Sequence, residues 1–231
     1  MINLAVEART HVGSVRQRNE DAHLVGRHLI VVADGLGGHP AGDVASRTAV
    51  DAVREFDRSV APGALLHHLG RAVAAANEAI FAVAGRQPEC AGMGTTLVGL
   101  GWAGSAAAVV NVGDLRAYLL RDGVLRLITE DHVYGNLLSD AASVPALPER
   151  QARFLDGRRD GRSPDLIPLA LRSDDRLLLC SDGLSTPVPD RTIAELLGGR
   201  STPAEVADRL VGAALGHGGP DNVTVVVAQV R

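Results

Sequence analysis

The chain has 231 residues, with 23 basic and 27 acidic side chains and a formal charge of −4. That balance excludes a general nucleic-acid binder, which needs a basic footprint. A content of 46% hydrophobic and 22% charged residues excludes a disordered chain and a membrane protein alike. Every basic residue is an arginine, so there is no lysine nucleophile, Schiff base or P-loop lysine. Aromatic residues make up only 3%, so the core has to be built from Val, Leu, Ile and Ala.

In chain order, residues 1–13 (MINLAVEARTHVG) lack the basic start and long apolar stretch of a signal peptide. No segment approaches a membrane-spanning run of about 18 apolar residues, so a cytoplasmic location without membrane attachment is expected. A strand is expected at 22–25, and residues 29–33 (LIVVA) form a short β-type run that ends at Asp34-Gly35. Helical patterns follow at 42–56 and 65–83; in the second, Leu65, Leu69, Val73, Ala76, Ile80 and Val83 trace one face. Residues 95–102, 106–112, 117–120 and 124–128 read as a strand meander, with Asp122-Gly123 as a hairpin turn. An irregular Pro- and Arg-rich stretch spans about 140–164. Then come a buried strand at 176–180, helices at 189–197 and 203–215, each opened by Pro, and a last strand at 223–230. Cys90 and Cys180 are far apart with no metal-binding spacing, and read as reduced thiols.

Hairpin-linked strands point to antiparallel sheets, and strands apolar throughout need cover on both faces. The expected architecture is α+β, a four-layer α-β-β-α sandwich with two central, mainly antiparallel sheets, in one domain over residues 1–231.

The chemical signal is a recurrence of carboxylates at the ends of apolar strands. LIVVA runs into Asp34-Gly35, VVNV into Gly113-Asp114, and LLLCS into Asp182-Gly183, while Asp221-Asn222 stands directly before VTVVVA. A single Asp-Gly at a strand end is ordinarily a turn. Four such acids, each abutting a buried strand, can converge if the strand ends meet. Converging like charges raise one another's pKa or require a cation, and a set of carboxylate and carbonyl oxygens favours Mg²⁺ or Mn²⁺ over Zn²⁺.

Six motifs carry a resemblance: Val15-Arg16-Gln17-Arg18-Asn19-Glu20-Asp21, Ala33-Asp34-Gly35-Leu36-Gly37-Gly38-His39, Gly92-Met93-Gly94-Thr95-Thr96, Gly113-Asp114-Leu115-Arg116, Ser181-Asp182-Gly183 and Gly219-Pro220-Asp221-Asn222-Val223-Thr224. In order and spacing, over about residues 9–230, the chain resembles the bacterial metal-dependent Ser/Thr protein phosphatases (PPM family, type 2C). The resemblance implies two Mn²⁺ or Mg²⁺ ions bridged by Asp34, with the Gly35 carbonyl on one ion and Asp182 and Asp221 on the other. It implies that Glu20 and Asp21 hold metal-bound waters, that Asp114 helps bind a third, weaker ion, and that Arg16 grips the substrate phosphate. His39 is a candidate proton donor to the leaving group, with a plain loop histidine as the alternative. The implied reaction is direct hydrolysis of phosphoserine or phosphothreonine in proteins by a water shared between two ions, with no phosphoenzyme. Implied partners are phosphorylated proteins and a Ser/Thr kinase with its targets, and a monomer is expected.

Two departures stand out. Leu115 occupies the place of the usual Ser after Gly-Asp. Beyond Asp131-His132, part of a Thr-x-Asp-His stretch, the segment at about 132–165 is a shortened flap unlike the family's, with PERQARFLDGRRDGRS at 148–163. Two other readings therefore stand beside the phosphatase: a pseudophosphatase that binds phosphoproteins without turnover, and a hydrolase of small phosphoesters.

Overall fold

The computed structural model describes residues 2–36, 41–133, 153–158 and 163–231. Two five-stranded antiparallel sheets form its centre. Strands β1 (Leu4–His11), β6 (Arg116–Arg121), β7 (Val124–Leu127), β9 (Arg176–Cys180) and β10 (Val223–Val230) build one, in the order β1-β10-β9-β6-β7. Strands β2 (Asp21–Val25), β3 (Leu29–Gly35), β4 (Thr95–Ala103), β5 (Ala106–Val112) and β8 (Asp165–Leu169) build the other, in the order β2-β3-β4-β5-β8. Helices α1 (Gly42–Arg54) and α2 (Leu65–Arg86) cover the second sheet. Helices α3 (Asp182–Ser185), α4 (Asp190–Leu197) and α5 (Pro203–Gly216) cover the first. The expected four-layer sandwich is therefore what forms.

Strand periodicity explains the layers. Successive strand residues face opposite sides, so Ile30 and Val32 of β3 enter the core between the sheets while Val31 and Ala33 face α1 and α2. In β9, Leu177 and Leu179 point between the sheets, and Leu178 and Cys180 point to the helices, where Ile193, Val206 and Leu210 meet them. A run such as LIVVA or RLLLC is apolar throughout because both of its faces are buried. Each fully buried Leu, Ile or Val contributes roughly 1.5–3 kcal/mol. Both cysteines are buried free thiols.

Local signals set the boundaries. Asp122 (φ 52°) and Gly123 (φ 77°) form the two-residue hairpin that sets Arg121 opposite Val124. Thr202 caps α5: its hydroxyl accepts from the Glu205 N–H, the Glu205 carboxylate accepts from the Thr202 N–H, and Pro203 opens the first turn.

Three elements go beyond the sequence expectations. β1 is an edge strand whose Leu4, Val6 and Ala8 pack on the inter-sheet core, a half-buried alternation weaker than the central runs. β8 contains Pro168, which lacks an N–H and is tolerated because β8 lies at the other sheet's edge. Helix α3 is a single turn after Ser181. The shortened flap expected at about 132–165 lies largely outside the described residues, as does His39.

Candidate active site

The strand registers bring the acidic strand ends to one place. Asp21, the first residue of β2, pairs directly with Asp34 in β3, and Asp34 pairs with Thr96 in β4. In the other sheet, Arg116 and Val225 both pair with Cys180. Asp114, Asp182 and Asp221, each just outside its strand, therefore emerge along a single edge. The sheets are joined there by the Ser181 hydroxyl, which donates to Asp21 Oδ2 at 2.9 Å and accepts from the Thr224 N–H at 2.9 Å.

Asn222 ties the loop at 12–20 to this edge. Its amide donates to the Val12 and Arg18 carbonyls, each at 2.8 Å, and its Oδ1 accepts from the Glu20 N–H at 2.8 Å. Its own N–H donates to Asp221 Oδ1 at 2.8 Å. One side chain thus holds the segment carrying Arg16 and Glu20 against Asp221. Close backbone approach completes the assembly. A Cβ on Gly183 would stand 1.9 Å from the Asn222 carbonyl oxygen, and one on Gly35 would stand 2.1 Å from that of Gly42. Any side chain at either position would push the segments apart.

The result is a hollow of about 200 Å³ whose lining includes Arg16, Glu20, Asp34, Gly35, Asp182 and Asp221. A neighbouring hollow of about 490 Å³ shares Asp182 and is lined also by Asp114, Arg116, Asp131, Ser185 and Thr186. A larger cavity of about 530 Å³ lies between α2 and the segment around Leu155 and Gly157, but it has no comparable grouping of acids. The small hollow is marked out by its chemistry rather than its size.

Four acids and one arginine line it, and the electrostatics follow. Burial, then the charges of Asp21, Asp182, Asp114 and Asp221, push Asp34 well above the usual carboxylate range. Burial pushes Asp182 up to about 7, helped by Asp114 and Asp221. Asp21 is pushed up to about 6 by burial, against hydrogen bonds from Thr224 and Ser181 that favour its charged form. Burial also raises Glu20, with Arg16 opposing it. Arg16 Nη2 donates to Asp221 Oδ2 at 2.7 Å.

A divalent cation suits this arrangement. Asp182 Oδ1 and Asp21 Oδ1 are buried oxygens without a hydrogen-bond partner, which is costly unless a cation or proton satisfies them. Oxygen donors of this kind fit Mg²⁺ or Mn²⁺. Among the described residues no group of three or more His, Cys, Asp or Glu side chains is placed to hold a metal ion as it stands. The acids rim an open hollow in which Arg16 holds Asp221.

Asp34, Gly35, Asp182, Asp221, Glu20 and Arg16 thus share one hollow, Asp21 lies behind it against Asp34, and Asp114 lies on the adjoining one. Thr95 and Thr96 shape the strand entry, donating to the Asp34 carbonyl at 2.7 and 3.3 Å. His68 takes no part, bonding the Phe56 carbonyl instead. Ser181 and Asn222 are site residues that no sequence motif singles out by role. Their signal was position alone, polar residues beside otherwise apolar strands.

Comparison with known proteins gives the family. The family model "Protein phosphatase 2C" matches residues 9–210. The serine/threonine protein phosphatase PstP of Mycobacterium tuberculosis is 44% identical over 98% of this chain and 45% of its own length, so the chain spans about half of that relative. The serine/threonine phosphatase stp of Listeria monocytogenes is 35% identical over 96% of this chain and 94% of its own. A crystal structure of the PstP catalytic domain in complex with two manganese ions superposes with a TM-score of 0.89 at 45% identity, covering 100% of this chain and 99% of that one. With the family model spanning most of its length and such identities behind it, this chain belongs to the protein phosphatase 2C family.

Proposed function

We propose that this chain is a Mn²⁺- or Mg²⁺-dependent protein phosphatase domain that removes phosphate from phosphoserine and phosphothreonine in proteins. The observation that carries the reading is the convergence of Asp34, Asp182 and Asp221 on one hollow with Arg16 beside them. The relatives named as Ser/Thr phosphatases and the two-manganese PstP structure support it.

In this reading Asp34, Asp182, Asp221 and the Gly35 carbonyl hold two ions, Glu20 and Asp21 orient the surrounding solvent, and Asp114 contributes to a third, weaker site. Bound divalent ions supply Lewis acidity and an acidified water for attack on phosphorus. The chain's own groups do the rest. Asp34 and Asp182 give up the protons that their raised pKa values retain. Asp221 exchanges Arg16 for a cation, and the freed guanidinium fork binds two phosphate oxygens, which suits arginine better than a point charge. His39 delivers a proton to the departing seryl or threonyl oxygen, which leaves as the hydroxyl. No side chain has to be phosphorylated.

The whole of 1–231 acts as one catalytic domain with an atypical flap. It works as a cytoplasmic monomer, opposite a Ser/Thr kinase, on phosphoproteins and not on nucleic acid. The net charge of −4 supports the last point, and no helix among the described residues is long and apolar enough to cross a membrane. The test is hydrolysis of a phosphothreonine peptide with Mn²⁺, abolished by EDTA and by Asp182→Asn. Peptide binding without turnover would identify a pseudophosphatase instead, and preference for small metabolite phosphates would identify a phosphoester hydrolase.

A further inference from the structure

The Thr-x-Asp-His stretch at 129–132 takes no part in the hollow, yet its three named side chains converge on the turn that carries Asp114. His132 is 3% exposed. Its backbone N–H donates to the Gly113 carbonyl at 2.9 Å, and its ring Nδ1 accepts from the Gly113 N–H at 3.1 Å. Asp131 holds the far side of the turn, accepting from Arg116 Nη2 at 2.7 Å and Nε at 3.1 Å. Thr129 Oγ1 accepts from the Ala117 N–H at 3.1 Å and donates to the Leu115 carbonyl at 3.4 Å. Residues 113, 115, 116 and 117 are thereby gripped from one segment, and Asp114 is the residue they present.

The ring of His132 has a defined role in this. Since Nδ1 accepts, its proton resides on Nε2, which donates to Asp165 Oδ2 at 2.9 Å. Arg153 Nη1 holds the other oxygen of Asp165 at 3.3 Å.

We propose that Thr129, Asp131 and His132 are positioning residues: they clamp the Gly113–Ala117 turn so that Asp114 faces its cation, with Asp165 locking the His132 tautomer. The inference rests on the reading of Asp114 as a ligand of the third, weaker ion. Outer partners of this kind commonly alter metal affinity by about 10–100-fold.

Two substitutions separate the ring's contacts. His132→Asn places an oxygen near the Nδ1 position and keeps the acceptor for Gly113. His132→Gln places an amide near Nε2 and keeps the contact with Asp165 only. Calorimetric titration with Mn²⁺ is expected to show the weaker binding step reduced about 10-fold in His132→Gln and nearly intact in His132→Asn, with the tight steps unchanged and similar losses of Tm. Equal effects of the two variants on the weak step, or none, would overturn the proposal. Should His132→Gln not fold, ring ¹⁵N shifts of the unaltered chain decide: a bare Nδ1 with a slowly exchanging Gly113 amide supports the clamp, and an Nδ1-protonated ring refutes it. None of these readings requires turnover, so a failure of the phosphatase assignment would show separately, as metal-loaded wild-type protein that hydrolyses nothing.

Discussion

Strand β9 has an aspartate just beyond each end, Asp175 buried and Asp182 half-buried, and the two are treated in opposite ways. Asp175, before the strand, is 2% exposed, yet accepts from Arg121 at 2.8 and 2.6 Å and from the Arg172 N–H at 2.7 Å. Burial acts to raise it, but the Arg121 guanidinium wins and holds it below its ordinary value. Asp182, after the strand and roughly 20 Å away, has other carboxylates for neighbours and is pushed up to about 7. The register Leu120↔Arg176 delivers Arg121 to Asp175, whereas the registers at the other end deliver more acids to Asp182. One end is a completed ion pair. The other is an incomplete one whose counter-charge has to come from solution.

The largest expected effect breaks the incomplete end. Asp34→Asn should lower Mn²⁺-dependent turnover of a phosphothreonine peptide by about 10³-fold or more, a transition-state loss of roughly 4 kcal/mol. The same variant should melt a few degrees higher in EDTA, because an amide folds without the proton uptake that the raised Asp34 carboxyl needs near neutral pH, and should gain little from Mn²⁺. A variant as active as the wild type would remove the metal-bridging role. Arg121→Ala breaks the completed end instead. It strands a buried carboxylate and should cost about 3–5 kcal/mol in urea unfolding, with kcat per folded molecule unaltered.

Arg16→Ala comes next, with KM for the phosphopeptide raised about 10–100-fold and a smaller change in kcat, the range expected for losing hydrogen bonds to a charged group. An unchanged KM would mean that the guanidinium serves only Asp221. The smallest effect is on pH dependence, and its sign differs at the two ends. Asp21 and Asp182 bind protons more tightly folded than unfolded, so the metal-free chain should lose stability as pH rises from about 4 to about 7. Asp175 binds protons less tightly when folded, so its contribution is present above the ordinary carboxylate range and is lost as pH falls through its lowered value. Melting curves in EDTA against pH, for wild type and Arg121→Ala, would separate the two. A metal-free stability that climbs between pH 5 and 7 would contradict the raised values.

Much of this was legible in the primary structure because the signals are local. LIVVA and RLLLC can only be strands buried on both faces, Asp122-Gly123 can hardly be other than a hairpin turn, and acids directly after such strands are recognisable one by one. The weaker elements escaped for equally local reasons. β1 is half exposed at a sheet edge, and β8 carries a proline that argues against a strand until its edge position is known. Ser181 and Asn222 gave no signal of their own, since a polar residue beside a strand reads as a turn until its partners 160 and 202 positions away are brought beside it.

Sequence alone determined the central strands, the long helices and the placing of acids where strands end, since these depend on side-chain periodicity and turn chemistry within a few positions. Tertiary structure decided which acid received an arginine and which received only other acids. That outcome depends on strand register, and a shift of one residue would exchange the faces of every side chain and carry Arg121 away from Asp175.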